Sequence, residues 1–302
     1  MKKWNLIHSS DFHLGYDPDG IWNNRILTSI SFDILRCFLK DVVQYHPDFI
    51  IVTGDVCSCE DESLEKEIRK IFDTINIPFY LLGGNHDLKT HQSRSRVLKY
   101  FDKHFPTSRF TYSFTYKNLH FCMLEVSWVW DDLTVHAIRD PSQIKNMKET
   151  HSGIQWVLAE EHAEWLKEEL KTCRDKPVVV SIHCPLFPIP DRCKYDGYRD
   201  SGILTNAEEV LDILYQHPKT CVVLSGHMHM NYIVQNKNVV QITTSALCEY
   251  PIEFRRIIVS PEYMEVETLG LSDKSFAEKS LIHGREMVRG APEDRHFTIP
   301  LV

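Results

Sequence analysis

What this sequence lacks narrows it first. It has no basic surplus: 42 Asp and Glu against 34 Lys and Arg leave a formal net charge of −8. A broad nucleic-acid binder depends on clustered cationic surface, so long nucleic acid is disfavoured as a partner. No run approaches the roughly 20 apolar residues that a membrane span needs, so no membrane partner is expected. Two lysines follow Met1, but His8, Ser9, Ser10 and Asp11 interrupt the chain before a signal-peptide core can form. The nine cysteines, scattered from Cys37 to Cys248, are odd in number and sparse, unlike a secreted disulfide framework. They read as reduced thiols of a cytoplasmic protein, ordinary small residues for the most part. Internal repeats and low-complexity stretches are also missing.

What is present is an ordinary globular mixture, 43% hydrophobic and 25% charged over 302 residues. Histidine stands out, at 16 residues. Imidazole is the commonest metal ligand and titrates nearest neutrality, so the placing of these histidines carries the information.

The N-terminal half alternates short apolar runs with helical periodicity. Strands are expected at Trp4–Ser9, Phe49–Thr53 and Pro78–Leu82, with helices at Asn24–Tyr45 and Glu62–Thr74 between them. This order is that of adjacent parallel strands joined by crossover helices. A hairpin follows at Thr111–Tyr116 and Leu119–Leu124, then a polar loop or lid from Ser127 to Gly153. Further elements are expected at Ala159–Cys173 (helix), Val178–Ile182 (strand), Ala207–Tyr215 (helix) and Cys221–Leu224 (strand). Strands then flank Asn236-Lys237-Asn238, and a hairpin runs through Glu253–Ser260 and Tyr263–Leu269. Residues 1–269 are expected to form one α/β domain of two sheets flanked by helices. Residues 270–302, without a clear period, read as an extension that is either a lid or an oligomer contact.

Five expected strands end in metal-ligand chemistry: Asp11-Phe12-His13, Gly54-Asp55, Gly83-Gly84-Asn85-His86-Asp87, His183 and Gly226-His227-Met228-His229. Singly, each is routine turn chemistry. In open α/β sheets, however, ligands gather at the carboxyl ends of strands, and oxygen and imidazole donors converging there can hold two divalent cations. The remaining histidines, such as His46, His91, His104, His217 and His283, carry no spacing signal and are expected at the surface.

In order and spacing these motifs resemble those of the calcineurin-like metallophosphoesterases, over residues 5 to about 260. The resemblance implies a four-layer α/β/β/α sandwich with two mixed β-sheets and a dinuclear metal site at the strand C-terminal ends. It implies that Asp11, His13, Asp55 and His229 hold one metal, and that Asp55, Asn85, His183 and His227 hold the second, Asp55 bridging. His86 would face the substrate as acid or charge stabiliser, oriented by Asp87. The nitrogen and oxygen donors suit Mn, Fe or Zn better than Ca. The implied activity is hydrolysis of a small phosphodiester (a cyclic nucleotide, a glycerophosphodiester or a nucleotide conjugate) by in-line attack of a hydroxide shared between the cations.

Which phosphoester is less constrained. Ser152–Leu166 resembles a helix of bacterial phosphodiesterase-like members. Thr243–Pro251 with Phe254-Arg255 resembles a segment of the cyclic nucleotide phosphodiesterase and ADP-ribose-type diphosphatase branch, which makes Tyr250 a candidate substrate contact. Arg192, Lys194, Tyr195 and Arg199 on the loop after His183 could touch substrate, although Asp191, Asp196 and Asp200 balance the cations. Trp128, Trp130, Tyr195 and Tyr198 could stack on a base or simply pack. A phosphomonoesterase, a DNA repair-type nuclease and a metal-free binding scaffold stay open as alternatives, as does a homodimer.

Overall fold

A computed structural model describes residues 2–15, 18–58, 61–88, 91–129, 135–136, 155–198 and 202–301. Parallel strands β1 (Trp4–Ser9), β2 (Phe49–Val52) and β3 (Phe79–Leu81) are linked by helices α1 (Ser31–Val43) and α2 (Glu62–Phe72). Asp61 caps α2 by accepting the Ser63 and Leu64 N–H groups at 2.7 and 3.0 Å. After α3 (His91–Tyr100) the chain builds a second sheet. Its elements are β4 (Tyr112–Tyr116), β5 (Leu119–Leu124), α4 (Glu160–Thr172), β6 (Val178–Ile182), α5 (Ala207–Tyr215), β7 (Cys221–Ser225), β8 (Tyr232–Asn236) and β9 (Val239–Thr243). It then returns to the first sheet through β10 (Glu253–Val259), β11 (Tyr263–Gly270) and β12 (His296–Pro300). The sheets run β12-β11-β10-β1-β2-β3 and β8-β9-β7-β6-β5-β4.

Both sheets are mixed, and alternation along the strands divides their side chains between two cores. Phe121 and Met123 of β5, Val179 of β6, and Val222 and Leu224 of β7 face the first sheet. Their neighbours Cys122, Leu124, Val178, Val180, Ile182 and Val223 pack under α4 and α5. Helices α1 and α2 cover the far side of the first sheet through Ile34, Phe38, Leu64 and Ile68, with Phe72 stacked on Phe79 at 4.5 Å. The result is the expected α/β/β/α sandwich. Among the described residues no helix is long and apolar enough to cross a membrane, and the eight described cysteines are free thiols.

Two expectations are corrected. Helix α1 begins at Ser31, not Asn24, because residues 20–26 form a small hairpin, Gly20–Ile21 against Arg25–Ile26, followed by a 3-10 turn at Thr28–Ile30. His104 and His217 are buried, their rings bonded to the carbonyls of Phe79 (3.3 Å) and Lys176 (2.9 Å); the side chain of His91 lies outside the described residues. Within residues 270–302, β12 pairs antiparallel with β11 at the edge of the first sheet. Most of 127–153 lies outside the described residues, although Ser127–Val129 pairs with Gln155–Val157.

The C-terminal segment is a strap fastened by ion pairs. Asp294, fully buried, accepts from Arg192 Nε and Nη2 at 2.8 and 2.6 Å and from the Ile233 and Ala291 N–H groups at 2.8 and 2.9 Å. Arg295 forks onto Glu253 at 2.8 Å to each oxygen. Asp294→Ala should cost about 2–3 kcal/mol, mostly from buried N–H groups left without an acceptor. Burial alone would raise the Asp294 carboxyl, but Arg192 and the backbone donors outweigh it and hold it below the ordinary 3.8. The contribution is therefore complete above that value and is lost as pH falls through the lower folded pKa. Urea midpoints of wild type and variant should differ at pH 7 and draw together as pH falls below 3.8; a constant gap would remove the carboxylate from the account.

Candidate metal centre

The loops that follow β1, β2, β3, β6 and β7 meet at one end of the sandwich. The parallel pairing of β1 with β2 continues past the strands: Thr53 N donates to Ser9 O, Asp11 N to Gly54 O and His13 N to Asp55 O, at 2.9–3.0 Å. This holds the two loops in register. The backbone is left-handed at Asp11 (φ 54°), His13 (43°), Asp55 (54°), His227 (64°) and His229 (54°). Such a conformation costs roughly 1–2 kcal/mol for each non-glycine residue, and it is sustained here by the surrounding bonds. Two glycines are fixed by close approach: a Cβ on Gly84 would sit 2.2 Å from Asp55 Oδ1, and one on Gly226 would sit 2.4 Å from Asp11 Oδ2.

The seven expected metal ligands come together. Nε2 of His13 lies 3.2 Å from Nε2 of His229, 3.6 Å from Asp55 Oδ2 and 3.8 Å from Asp11 Oδ1. His229 Nε2 lies 3.3 Å from Asp11 Oδ1. On the other side of Asp55, His183 Nε2 lies 3.4 Å from Asp55 Oδ2, 3.0 Å from Asn85 Oδ1 and 3.2 Å from His227 Nδ1. One carboxylate oxygen of Asp55 thus faces an imidazole from each group. Its other oxygen accepts the His86 N–H at 2.8 Å.

Tautomers are fixed from behind. His183 Nδ1 lies 2.7 Å from Thr53 O, an acceptor only, so Nδ1 carries the proton. Its Nε2 is turned towards Asp55 Oδ2, Asn85 Oδ1 and His227 Nδ1, an arrangement that calls for positive charge, a metal cation or a proton. Asp11 Oδ1 is fully buried, with the imidazole nitrogens of His229 and His13 at 3.3 and 3.8 Å. Buried carboxylate oxygens set against imidazole nitrogens, a nitrogen and oxygen donor set, fit divalent transition metals. The protonation of the metal-free cluster points the same way. Desolvation depresses His13 and His227 to about 3. Against that same desolvation, Asp55 lifts His183 to about 9, while Asp11 and Glu249 lift His229 to about 10.

His86 is half-buried, its ring edge-on to that of His13 at 4.7 Å. Asp87 braces the loop that carries His86: its oxygens accept N–H groups of Val56 (3.2 Å), Cys57 (2.9 Å) and Gly84 (3.0 Å), tying the β3 loop to the β2 loop.

The expected substrate contacts fare differently. Arg192 is spent on Asp294 and on Ile233 O at 2.9 Å, so it holds the strap and does not reach for phosphate. Lys194 pairs with Asp191 at 3.2 Å. Tyr195 donates to Asn23 Oδ1 at 3.3 Å, and its ring meets Tyr198 at 5.4 Å and the Arg285 guanidinium at 4.7 Å; both tyrosines pack. Tyr250 lines a separate cavity of about 270 Å³ with Lys274, Arg289 and Arg295, away from the ligands. Arg199, Trp130 and the Trp128 side chain lie outside the described residues.

Sequence reasoning missed three neighbours of the centre. Glu249, fully buried, accepts from His229 Nδ1 with one oxygen and from Asn24 N with the other, the latter at 2.6 Å. Cys248 places a thiol with His13 and His229, so the donors within reach include one sulfur. Trp156 stands edge-on to His227 at 5.6 Å. The available signal was an acidic residue within the buried stretch Ala246-Leu247-Cys248-Glu249.

A family model described as calcineurin-like phosphoesterase matches residues 5–231. A probable glycerophosphodiester phosphodiesterase of Arcobacter nitrofigilis is 26% identical over 271 residues, covering 88% of this chain and 87% of that protein. A probable cyclic nucleotide phosphodiesterase of Psychrobacter arcticus is 20% identical, covering 81% and 80%. Among solved structures, a dimetal phosphatase from Danio rerio shares the fold with a TM-score of 0.67 at 16% identity, covering 88% and 96%.

Two outcomes follow for metal loading. The expectation that Asp55 bridges predicts that Asp55→Asn and Asp55→Ala each lose their bound metal from the folded protein, read as metal per chain after reconstitution; loading at the wild-type level would end that expectation. Glu249→Gln, which removes the carboxylate behind His229, should weaken metal affinity about 10- to 100-fold, measured by competition with a chelator; unchanged affinity would make Glu249 a purely structural contact.

Proposed function

The chain belongs to the calcineurin-like phosphoesterase family, and on that premise we propose that it is a dinuclear metal-dependent phosphohydrolase whose substrate is a small phosphodiester. The observation that carries this reading is Asp55 Oδ2, set 3.6 Å from His13 Nε2 and 3.4 Å from His183 Nε2 at the junction of two ligand groups. Asp11, His13, Asp55 and His229 would hold one cation, and Asp55, Asn85, His183 and His227 the other, drawn from Mn, Fe or Zn. When bound, such a pair supplies Lewis acidity towards water and towards the phosphoryl oxygens.

The chain's own residues contribute position and proton chemistry. Buried Asp11 and Asp55 offset the cationic charge, and neutral Asn85 leaves the second site more cationic, which favours an anionic ester. His86 is held at the partly open side of the cluster by its N–H bond to Asp55 and by the Asp87-braced loop. Its imidazole there stabilises charge developing on the ester and donates a proton to the departing oxygen. The names of the curated relatives, glycerophosphodiester and cyclic nucleotide phosphodiesterases, support a diester over a monoester.

With metals reconstituted, kcat/KM should be higher on bis(4-nitrophenyl) phosphate than on 4-nitrophenyl phosphate. The reverse ranking would make the protein a monoesterase. Turnover of neither, with two metals bound, would favour a binding scaffold, and preference for single-stranded DNA a nuclease. His86→Ala should slow hydrolysis of alkyl diesters by about 100-fold or more and of nitrophenyl diesters much less, because a good leaving group needs no proton. Equal losses would leave His86 a phosphate clamp.

A further inference from the structure

Among the described residues, the large hydrophobics left exposed are Ile21 and Trp22, at 66% and 49%. Both belong to the small hairpin that precedes α1, and the Trp22 ring lies 6.5 Å from the His229 ring, centroid to centroid. An exposed tryptophan on a loose loop would mean little. This one sits on a clamped tip: Asn23 and Asn24, next to it, are buried. Asn23 Nδ2 donates to Met228 O at 2.7 Å, and Asn24 N donates to Glu249 at 2.6 Å. From the strap, Arg285 donates to the carbonyls of Trp22 and Asn23 at 3.2 and 2.7 Å, and Ile282 N donates to Asn24 Oδ1 at 2.8 Å.

Glu249 makes the placement specific. One oxygen holds the imidazole of His229 and the other the backbone of the Trp22 hairpin. The distance between the indole and the metal centre is thereby fixed through one buried carboxylate. A half-exposed indole on a clamped tip has been set beside the cluster that would hold the phosphoester. The flanking Asp19, Gly20 and Arg25 are themselves exposed, so the apolar surface is two side chains wide, the size of a small-molecule contact.

We propose that Trp22 is the platform on which the planar base of a nucleotide substrate stacks, so that the preferred diester carries a heteroaromatic base. This rests on the phosphodiesterase reading above. Every base presents a π-face, so the platform selects for a base without selecting which. Asn24, Glu249 and Arg285 are positioning residues for it.

The test uses the full chain with metals reconstituted and compares a cyclic nucleotide with glycerophosphoethanolamine, which has no ring. Trp22→Ala should shift the ratio of kcat/KM values against the nucleotide by about 10- to 100-fold, the range seen when a stacking aromatic is truncated. The shift should reside in KM, and Trp22→Phe should restore most of it. An unchanged ratio would overturn the proposal, whatever happens to the absolute rates. Metal per chain, measured in parallel, separates a lost platform from a disturbed centre. Calorimetric binding of adenosine 5′-monophosphate separates this proposal from the phosphodiesterase reading. If wild type cleaves neither diester yet binds the nucleotide, and Trp22→Ala weakens that binding by the same factor, the platform stands and the diesterase reading falls. Absence of nucleotide binding to wild type overturns the platform.

Discussion

Two carboxylates buried among imidazoles set the terms for this protein. Desolvation raises both Asp11 and Asp55, the imidazoles of His229 and His183 outweigh it, and the charge of Asp55 works against that of Asp11. Burial of such a cluster is costly unless positive charge enters it. In the metal-free chain that charge is supplied by protons on His183 and His229, one on each side of Asp55. The left-handed turns at Asp11, His13, Asp55, His227 and His229 are part of the same demand. They aim side chains inward from loops that would otherwise turn away, and the Ser9–Leu14 and Thr53–Val56 backbones hold each other in place while they do so. Asp87 adds to this from a third strand end, since its three backbone partners lie on the loops after β2 and β3.

The strap extends that rigidity to the rim. Arg192, Arg255 and Arg295 each fasten the C-terminal segment or its neighbours. Arg255, fully buried, donates to Thr243 O at 2.8 Å and also reaches Thr268 Oγ1 and Asp294 O, joining both sheets to the strap. From there Arg285 and Ile282 grip the hairpin that bears Trp22. A segment that contributes no ligand to the centre therefore decides where the rim stands relative to it.

Much of this was legible in the sequence, and for a physical reason. Strands buried on both faces read as apolar runs, and ligands at their ends follow immediately in the chain, so Val178–Ile182 with His183 and Cys221–Ser225 with His227 and His229 are local signals. Contacts made across the fold were not legible. Glu249 reaches His229 from 20 residues away and Asn24 from 225, and nothing in its neighbours' periodicity announces either bond. Arg192 looked like a phosphate ligand because it follows His183 in a polar loop; its partner lies 102 residues on. The last thirty residues showed no period because they are short helical turns and one edge strand, held by ion pairs instead of an apolar stripe.

The division between what the sheets fix and what the rim fixes bears on how substrate choice arises in this fold. The clustered carboxylates and imidazoles are pinned by parallel strand pairing, which cannot shift without breaking the ladder. Structural likeness at 16% identity therefore carries the fold and says nothing of the ester. The rim is built from residues 20–26 and the strap, and it touches the centre through few atoms, chief among them the two oxygens of Glu249. Such a joint transmits position but little strain, so the rim can carry its own side chains while the geometry of the centre is preserved. The hairpin tip is where this chain places an indole, and the loop after His183, where basic residues first suggested phosphate recognition, is used for holding the strap.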